Sequence, residues 1–343
     1  MRALVVHAAK DLRVDDWREE APGPGQVLLR TAAGGICGSD LHYFHHGGFG
    51  TVRLKEPMVL GHEVSGRVAE LGPGVEGLAP GDLVAVNPSR PCGKCRYCRE
   101  GLANHCLDMR FYGSAMPFPH IQGAFRESLV VEAGQCVKAE GVGPGEAAMA
   151  EPLSVALHAL RQAGPLLGKR VLVTGCGPIG VLTILAARRA GAVEIVATDI
   201  EDQPLAHARA AGAERTVNVL KQPDALAPYG AGKGHFDVHC EASGAQAALV
   251  AGIGALRPRG VLVQLGLGGD MTLPMMQVTA KELELRGCFR FHEEFPLAVE
   301  MIAKGLIDVK PLITHTLGFD RALEAFELAG DRSRVMKAQI AFN

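Results

Sequence analysis

Net charge is nearly absent from this chain: 35 Lys and Arg against 37 Asp and Glu leave −2 at pH 7 over 343 residues. No basic stripe or acidic tail breaks the balance, so electrostatics give no reason to expect nucleic acid or an anionic membrane as a partner. Long hydrophobic runs are missing as well. The most apolar stretch, Val171 to Ala187, is interrupted by Gly175, Gly177, Pro178 and Gly180, which argues against a membrane span. The opening run MRALVVHAAKDLRV returns to charge too soon for a signal peptide. There is no internal repeat and no low-complexity segment. A soluble, cytoplasmic protein is expected.

What is present is apolar and turn-rich. Hydrophobic residues make up 48% of the chain, enough for a large core, and 43 glycines point to many turns or sites of close backbone approach. The length exceeds one typical domain, so two are expected. Up to about residue 150 the pattern is β-rich, with short apolar runs at Ala3–Val6, Val27–Thr31, Val64–Glu70, Leu83–Val86 and Glu127–Val131. From Gly168 the rhythm changes. Strands at Arg170–Thr174, Glu194–Thr198, Thr216–Val219, Phe236–Glu241 and Gly260–Leu265 alternate with helical stretches, the first at Ile179–Ala190. Strands apolar on both faces, with helices between them, predict a doubly wound parallel sheet of the Rossmann type. After about residue 292, one or two helices and a last strand, Lys337–Phe342, are expected.

Four of the nine cysteines, Cys92, Cys95, Cys98 and Cys106, fall at C-x2-C-x2-C-x7-C. Such spacing suits a tetrahedral zinc whose coordination is closed, with Gly93, Lys94, Arg96 and Arg99 adding turns and positive charge that favour thiolates. Two disulfides are the rival explanation. It is opposed by chain size, by the odd cysteine total and by the lack of a secretion signal. Cys136, Cys176, Cys240 and Cys288 read as packing residues.

Gly175-Cys176-Gly177-Pro178-Ile179-Gly180 is a G-x-G-x-x-G between an expected strand and an expected helix. Asp199 closes the next strand, 24 residues after the first glycine. The glycines allow a tight turn and close approach to a pyrophosphate at a helix N-terminus, and Asp199 would accept hydrogen bonds from ribose hydroxyls. Ile200, Glu201, Asp202 and Gln203 offer no cation for a 2′-phosphate, which favours NAD over NADP. Gly266, just past a later strand, is a plausible place for backbone to lie against the nicotinamide. Separately, Cys37 stands in Gly35-Ile36-Cys37-Gly38-Ser39-Asp40, and Gly61-His62-Glu63 opens GHEVSGRVAELGPGV. Either alone has a bland explanation: a small buried hydrophobe, or a hydrogen-bonded surface pair.

Taken together and in order, these pieces resemble the zinc-dependent medium-chain alcohol and polyol dehydrogenases over essentially the whole chain. The run Gly61 to Val75 is similar to the zinc signature of that family. Glu151-Pro152 stands where simple alcohol dehydrogenases have a cysteine ligand, as in the polyol members. The blocks NPSRPCGKCRYC, DMRFYGSAMPFPH and LRGCFRFHEEF resemble members that act on sugar acids.

The resemblance implies a discontinuous, β-rich, chaperonin-like catalytic domain at 1–146 and 292–343. This domain holds the structural-zinc lobe at 88–110, and the Rossmann domain at 147–291 is inserted into it. It implies two zinc ions per chain, NAD, and a homotetramer or homodimer. The catalytic zinc is expected on Cys37 and His62, with Glu63 and Glu151 sharing the rest: one bound, the other mainly on the zinc water. Thiolate, imidazole and one carboxylate neutralise Zn2+, whereas a second carboxylate makes the site negative. Ser39 and His42 are expected to relay the proton, and Tyr43 to touch the polyol chain. Arg110 and Arg290 are candidates for a substrate carboxylate, because guanidinium binds it in bidentate fashion.

The implied reaction is hydride transfer from a secondary hydroxyl of a sugar acid to NAD, L-idonate giving 5-keto-D-gluconate. A neutral-polyol dehydrogenase, a threonine dehydrogenase, a non-catalytic NAD-binding scaffold and a zinc-free quinone reductase are the alternatives. The last two are opposed by the presence of Cys37, His62, Glu63 and Glu151. Zinc content separates the classes: two per chain for the enzyme, one for a scaffold, none for the reductase.

Overall fold

The computed structural model describes Met1 to Phe342; Asn343, last in the expected catalytic segment, lies outside the described residues. Two compact units emerge. The first comprises Met1–Glu151, Phe295–Asp331 and Lys337–Asn343, the second Pro152–Glu294 and Arg332–Met336.

In the first unit the long strand Gln26–Gly35 organises the main sheet. One edge pairs antiparallel with Glu63–Leu71 along its whole length. The other edge is shared: Ser128–Glu132 runs along its first half, and Lys337–Ala341 pairs with Ala33, Gly34 and Gly35. Val27, Leu29, Val64, Val68, Val84, Val86, Leu129 and Val131 are buried at alternating positions, the period-2 pattern that fixes register. The register has a chemical consequence. Gly35 sits opposite Glu63 and also opposite Gln339, so residue 337 of the last strand comes beside residue 63.

The second unit is built on six parallel strands. Their spatial order is Arg215–Asn218, Glu194–Asp199, Arg170–Thr174, Phe236–Glu241, Leu256–Gln264, Glu284–Gly287, the doubly wound order in which ligands sit outside the carboxyl ends of the strands. Val171, Leu172, Val173, Ile195, Val196 and Ala197 are all buried, as a sheet covered on both faces requires. Glu284–Gly287 ends the sheet as an exposed edge.

Most expected strands lie within a residue or two of those observed. Asp11–Asp16, Glu284–Gly287 and Ile313–Gly318 carry too much charge or polarity to be seen as strands, and pairing with neighbours creates them. Among the described residues no helix is long and apolar enough to cross a membrane.

Candidate active site

The helix Gly38–His46 begins at Cys37, its N-cap. Asp40, three residues on, accepts the Cys37 amide proton at 3.0 Å through one oxygen and the Gly61 amide at 3.1 Å through the other. A single buried carboxylate thus ties the Cys37 loop to the strand that carries His62 and Glu63. Burial pushes the Asp40 carboxyl up, against the pull of His62. Gly61 has φ 94°, and a Cβ there would overlap the Phe125 ring, so this approach needs glycine.

One ligand atom each from Cys37, His62 and Glu63 lies within 4.8 Å of the other two, and the His62 and Glu63 side chains are buried. Sulfur, nitrogen and oxygen donors at that mutual distance are what a catalytic zinc takes. His62 Nδ1 is buried with no hydrogen-bond partner, 3.8 Å from Asp40 Oδ1. An orphaned buried ring nitrogen is costly unless a ligand holds the ring. Burial pulls the imidazole toward neutrality, yet the Asp40 and Cys37 charges outweigh it and raise its pKa well above the ordinary value. The pocket therefore attracts a cation, and these residues fit zinc.

Two side chains complete the pocket. Glu151, in the first turn of the helix Ala150–Ala163, is buried, and burial raises its pKa to about 7 despite the opposing pull of His62. Lys337 was not foreseen. Its Nζ donates to both oxygens of Glu63, at 2.8 and 2.7 Å, and to the Ile36 carbonyl at 3.2 Å, entirely in the interior. Burial lowers its pKa, but Glu63 and Cys37 more than restore it. A Cβ on Gly35 would overlap Glu63 Oε2, so the carboxylate occupies the space a side chain would take. No motif announces Lys337. Only the sheet register brings it there.

Of the other expected residues, Ser39 is half-buried in the first turn of the Cys37 helix, and His42, three residues on, is exposed on the same face. Tyr43 is buried, its hydroxyl accepting the Ala115 amide at 3.0 Å. Arg110 is exposed on the short strand Arg110–Phe111, opposite Arg90. Arg290 belongs to the second unit, holds a left-handed φ of 55°, and stacks its guanidinium 5.0 Å from the Phe289 ring centroid.

The four-cysteine loop closes on itself. All four sulfurs lie within 4.8 Å of one another, and Cys95 and Cys106 are 3.9 Å apart. Sulfurs about 3.8 Å apart are what tetrahedral Zn–S bonds of ~2.3 Å impose. Backbone amides of Cys98 and Leu107 draw the Cys95 thiol down to about 6, and amides of Cys92 and Asp108 point at Cys106 Sγ from 3.2 and 3.4 Å. These residues too fit zinc. All nine thiols are unpaired.

In the second unit Gly175 turns out of its strand at φ 85° and donates to the Thr198 carbonyl at 2.8 Å. A Cβ on Gly175 would press on the Ser243 backbone, one on Gly180 would overlap the Gly175 carbonyl, and Gly177 faces open space. Two glycines therefore serve the turn, and one leaves a cradle at the N-terminus of the helix Pro178–Arg189. Pro178 and Ile179 form that helix's first turn. Asp199 Oδ2 accepts the Cys176 amide at 2.6 Å, and Oδ1 accepts the Ile200 and Glu201 amides at 2.7 and 3.0 Å. At the end of the fifth strand Gln264 Nε2 donates to the Gly266 carbonyl at 2.8 Å and to Glu241 Oε2 at 2.7 Å.

A buried S, N, O donor set on a β-rich unit, a four-thiol lobe, and a glycine cradle on a parallel sheet define a zinc-dependent dehydrogenase. The chain belongs to the zinc-dependent medium-chain alcohol and polyol dehydrogenases, whose cofactors are zinc and a nicotinamide dinucleotide. The alcohol dehydrogenase GroES-like domain family matches residues 23–141, and the zinc-binding dehydrogenase family matches residues 178–304. The chain is 44% identical over 329 residues to L-idonate 5-dehydrogenase (NAD(P)(+)) of Escherichia coli strain K12, covering 95% of this chain and 93% of the relative. It is 40% identical over 330 residues to sorbitol dehydrogenase of Homo sapiens, covering 95% and 91%. The crystal structure of the Escherichia coli L-idonate 5-dehydrogenase superposes with a TM-score of 0.95 at 43% identity, covering 99% of this chain and 98% of that one.

Proposed function

We propose that this enzyme oxidises a secondary hydroxyl of a sugar acid with NAD, L-idonate to 5-keto-D-gluconate. The observation that carries the chemistry is the buried Cys37, His62 and Glu63 cluster with the Glu151 carboxyl alongside. The substrate rests on similarity to the bacterial L-idonate enzyme along nearly the whole chain.

Cys37, His62 and Glu63 hold the catalytic zinc. When bound, the metal supplies a Lewis acid that favours the alkoxide form of a substrate hydroxyl. Lys337 offsets the Glu63 charge, so the pocket is less negative than its three carboxyl groups would make it. Glu151, buried beside the donors, takes and returns a proton; its burial keeps that proton from exchanging freely with water. Ser39 passes the proton along the first helical turn, and exposed His42 delivers it to solvent. Arg290, fixed by its stacking on Phe289, reads the substrate carboxylate, with Arg110 the weaker candidate. Tyr43 holds the segment around Ala115 through its hydroxyl.

Cys92, Cys95, Cys98 and Cys106 hold the second, structural zinc. Gly175, Gly177, Pro178, Ile179 and Gly180 cradle the pyrophosphate, Asp199 binds the adenosine ribose, and Gly266 lies against the nicotinamide. Nine unpaired cysteines suit the cytoplasm. The open edge Glu284–Gly287 offers backbone groups to a second copy, in keeping with a homodimer or homotetramer.

A second reading, a neutral-polyol dehydrogenase, is favoured by the 40% identity to sorbitol dehydrogenase. Initial rates with L-idonate, sorbitol, xylitol and L-threonine, each with NAD and NADP, separate the two. A clear preference for L-idonate is expected; a preference for sorbitol or xylitol would replace the sugar-acid assignment.

A further inference from the structure

Ile200, Glu201, Asp202 and Gln203, next after Asp199, include no cation, but the fold supplies one. Asp199 lies directly opposite Asn218 in the neighbouring parallel strand, and the Val219 amide donates to the Asp199 carbonyl at 3.0 Å. Asn218 bridges the two chain segments. Its Nδ2 donates to the Ile200 carbonyl at 3.1 Å and to Asp202 Oδ1 at 2.8 Å, while its Oδ1 accepts the Leu220 and Lys221 amides at 3.1 and 3.3 Å. Lys221, held by that turn, extends its ammonium to an ion pair with Asp202 Oδ2. The side chains of Lys221 and Asp202 are each 64% exposed, so solvent screens the pair and it holds weakly.

We propose that Lys221 forms a subsite for a phosphomonoester on the adenosine ribose, held partly closed by Asp202. This rests on the reading of Asp199 as the ribose-binding residue. A 2′-phosphate carries up to two negative charges and strong acceptor oxygens, and it would replace the Asp202 carboxylate as the partner of Lys221. Asp199 and Asp202 both repel it, so an unphosphorylated ribose is preferred while the phosphorylated one is still accepted. Discrimination is thereby set by the balance of Lys221, in the turn after one strand, against Asp199 at the end of the neighbouring strand and Asp202 at the start of the helix that follows it. Asn218 is a positioning residue that keeps Lys221 and Asp202 together.

The test is calorimetric binding of adenosine 2′,5′-bisphosphate and of 5′-AMP to the zinc-loaded protein, needing no turnover. Lys221→Ala is expected to weaken the bisphosphate roughly three- to tenfold and leave 5′-AMP unchanged. Asp202→Asn is expected to tighten the bisphosphate by a similar factor, and the double variant to lose that gain. An unchanged ratio of the two affinities in Lys221→Ala would overturn the subsite. Asp199→Ala, measured in parallel, keeps the two readings apart. If it weakens 5′-AMP while Lys221→Ala does nothing, only the subsite falls. If it leaves 5′-AMP unaffected, the ribose reading falls and takes the subsite with it.

Discussion

Lys337 governs how charge adds up in the metal pocket. Glu63, Glu151 and Asp40 are buried carboxyl groups gathered beside Cys37, and Lys337 is the buried ammonium paired with Glu63 there. Removing one partner of such a pair costs about 3–5 kcal/mol, because the other charge is left buried alone. Lys337→Met is therefore expected to lower stability by about that amount and to bring zinc content from two per chain toward one. Chemical denaturation and metal analysis check both. Lys337→Arg should keep more of the metal than Lys337→Met. His239 makes a different statement at the same scale. It is wholly buried on the strand Phe236–Glu241, with Nε2 2.9 Å from Thr174 Oγ1 and Nδ1 unpartnered. Burial depresses its pKa to about 3, far below that of an unfolded histidine near 6.5. Between those values the unfolded chain binds a proton that the folded chain does not. The stabilising contribution is complete above about pH 6.5 and lost as pH falls toward about 3. Unfolding free energy should thus drop steadily below pH 6.5, and in His239→Gln that part of the slope should disappear.

The elements show how much a sequence can disclose. The glycine fingerprint, its strand and helix, and the acidic residue ending the next strand were all legible, because each is enforced locally by sterics or hydrogen bonding. The three glycines do different work, and this is testable. A Cβ on Gly180 collides with the Gly175 carbonyl, whereas Gly177 faces open space. Gly180→Ala is expected to lower thermal stability. Gly177→Ala is expected to leave the melting temperature unchanged and weaken NADH binding at least severalfold by filling the cradle, measurable by calorimetry. The four-cysteine loop was legible for the same local reason. Cys37 with His62 was legible only through resemblance to a family, since the two segments meet by tertiary pairing. Lys337 and the clamp made by Asp40 were not legible. Both depend on the register that sets Gly35 against Glu63 and Gln339, and register between distant strands leaves no local mark. Lys221 was missed similarly: 22 positions separate it from Asp199 in the chain, yet the adjoining strand carries it to the same carboxyl end of the sheet.

At the scale of the molecule, the division of labour follows the two units. Cys37, Ser39, His42, His62, Glu63, Glu151 and Lys337 all belong to the β-rich unit, and the glycine cradle with Asp199 to the parallel sheet. The open edge Glu284–Gly287 makes a further claim about the whole assembly. The assembly proposed above through that edge predicts that Leu285→Pro, within the exposed strand, lowers the mass read by light scattering, and an unchanged mass would remove the edge from the assembly. The central claim concerns the metal. Anomalous diffraction at the zinc edge tests it most directly. Two peaks per chain are expected, one among Cys92, Cys95, Cys98 and Cys106, the other bound by Cys37, His62 and Glu63, with Lys337 still on Glu63 and Glu151 outside the ligand set. A single peak in the lobe, or a second peak bound by Glu151 with Glu63 turned away, would contradict it.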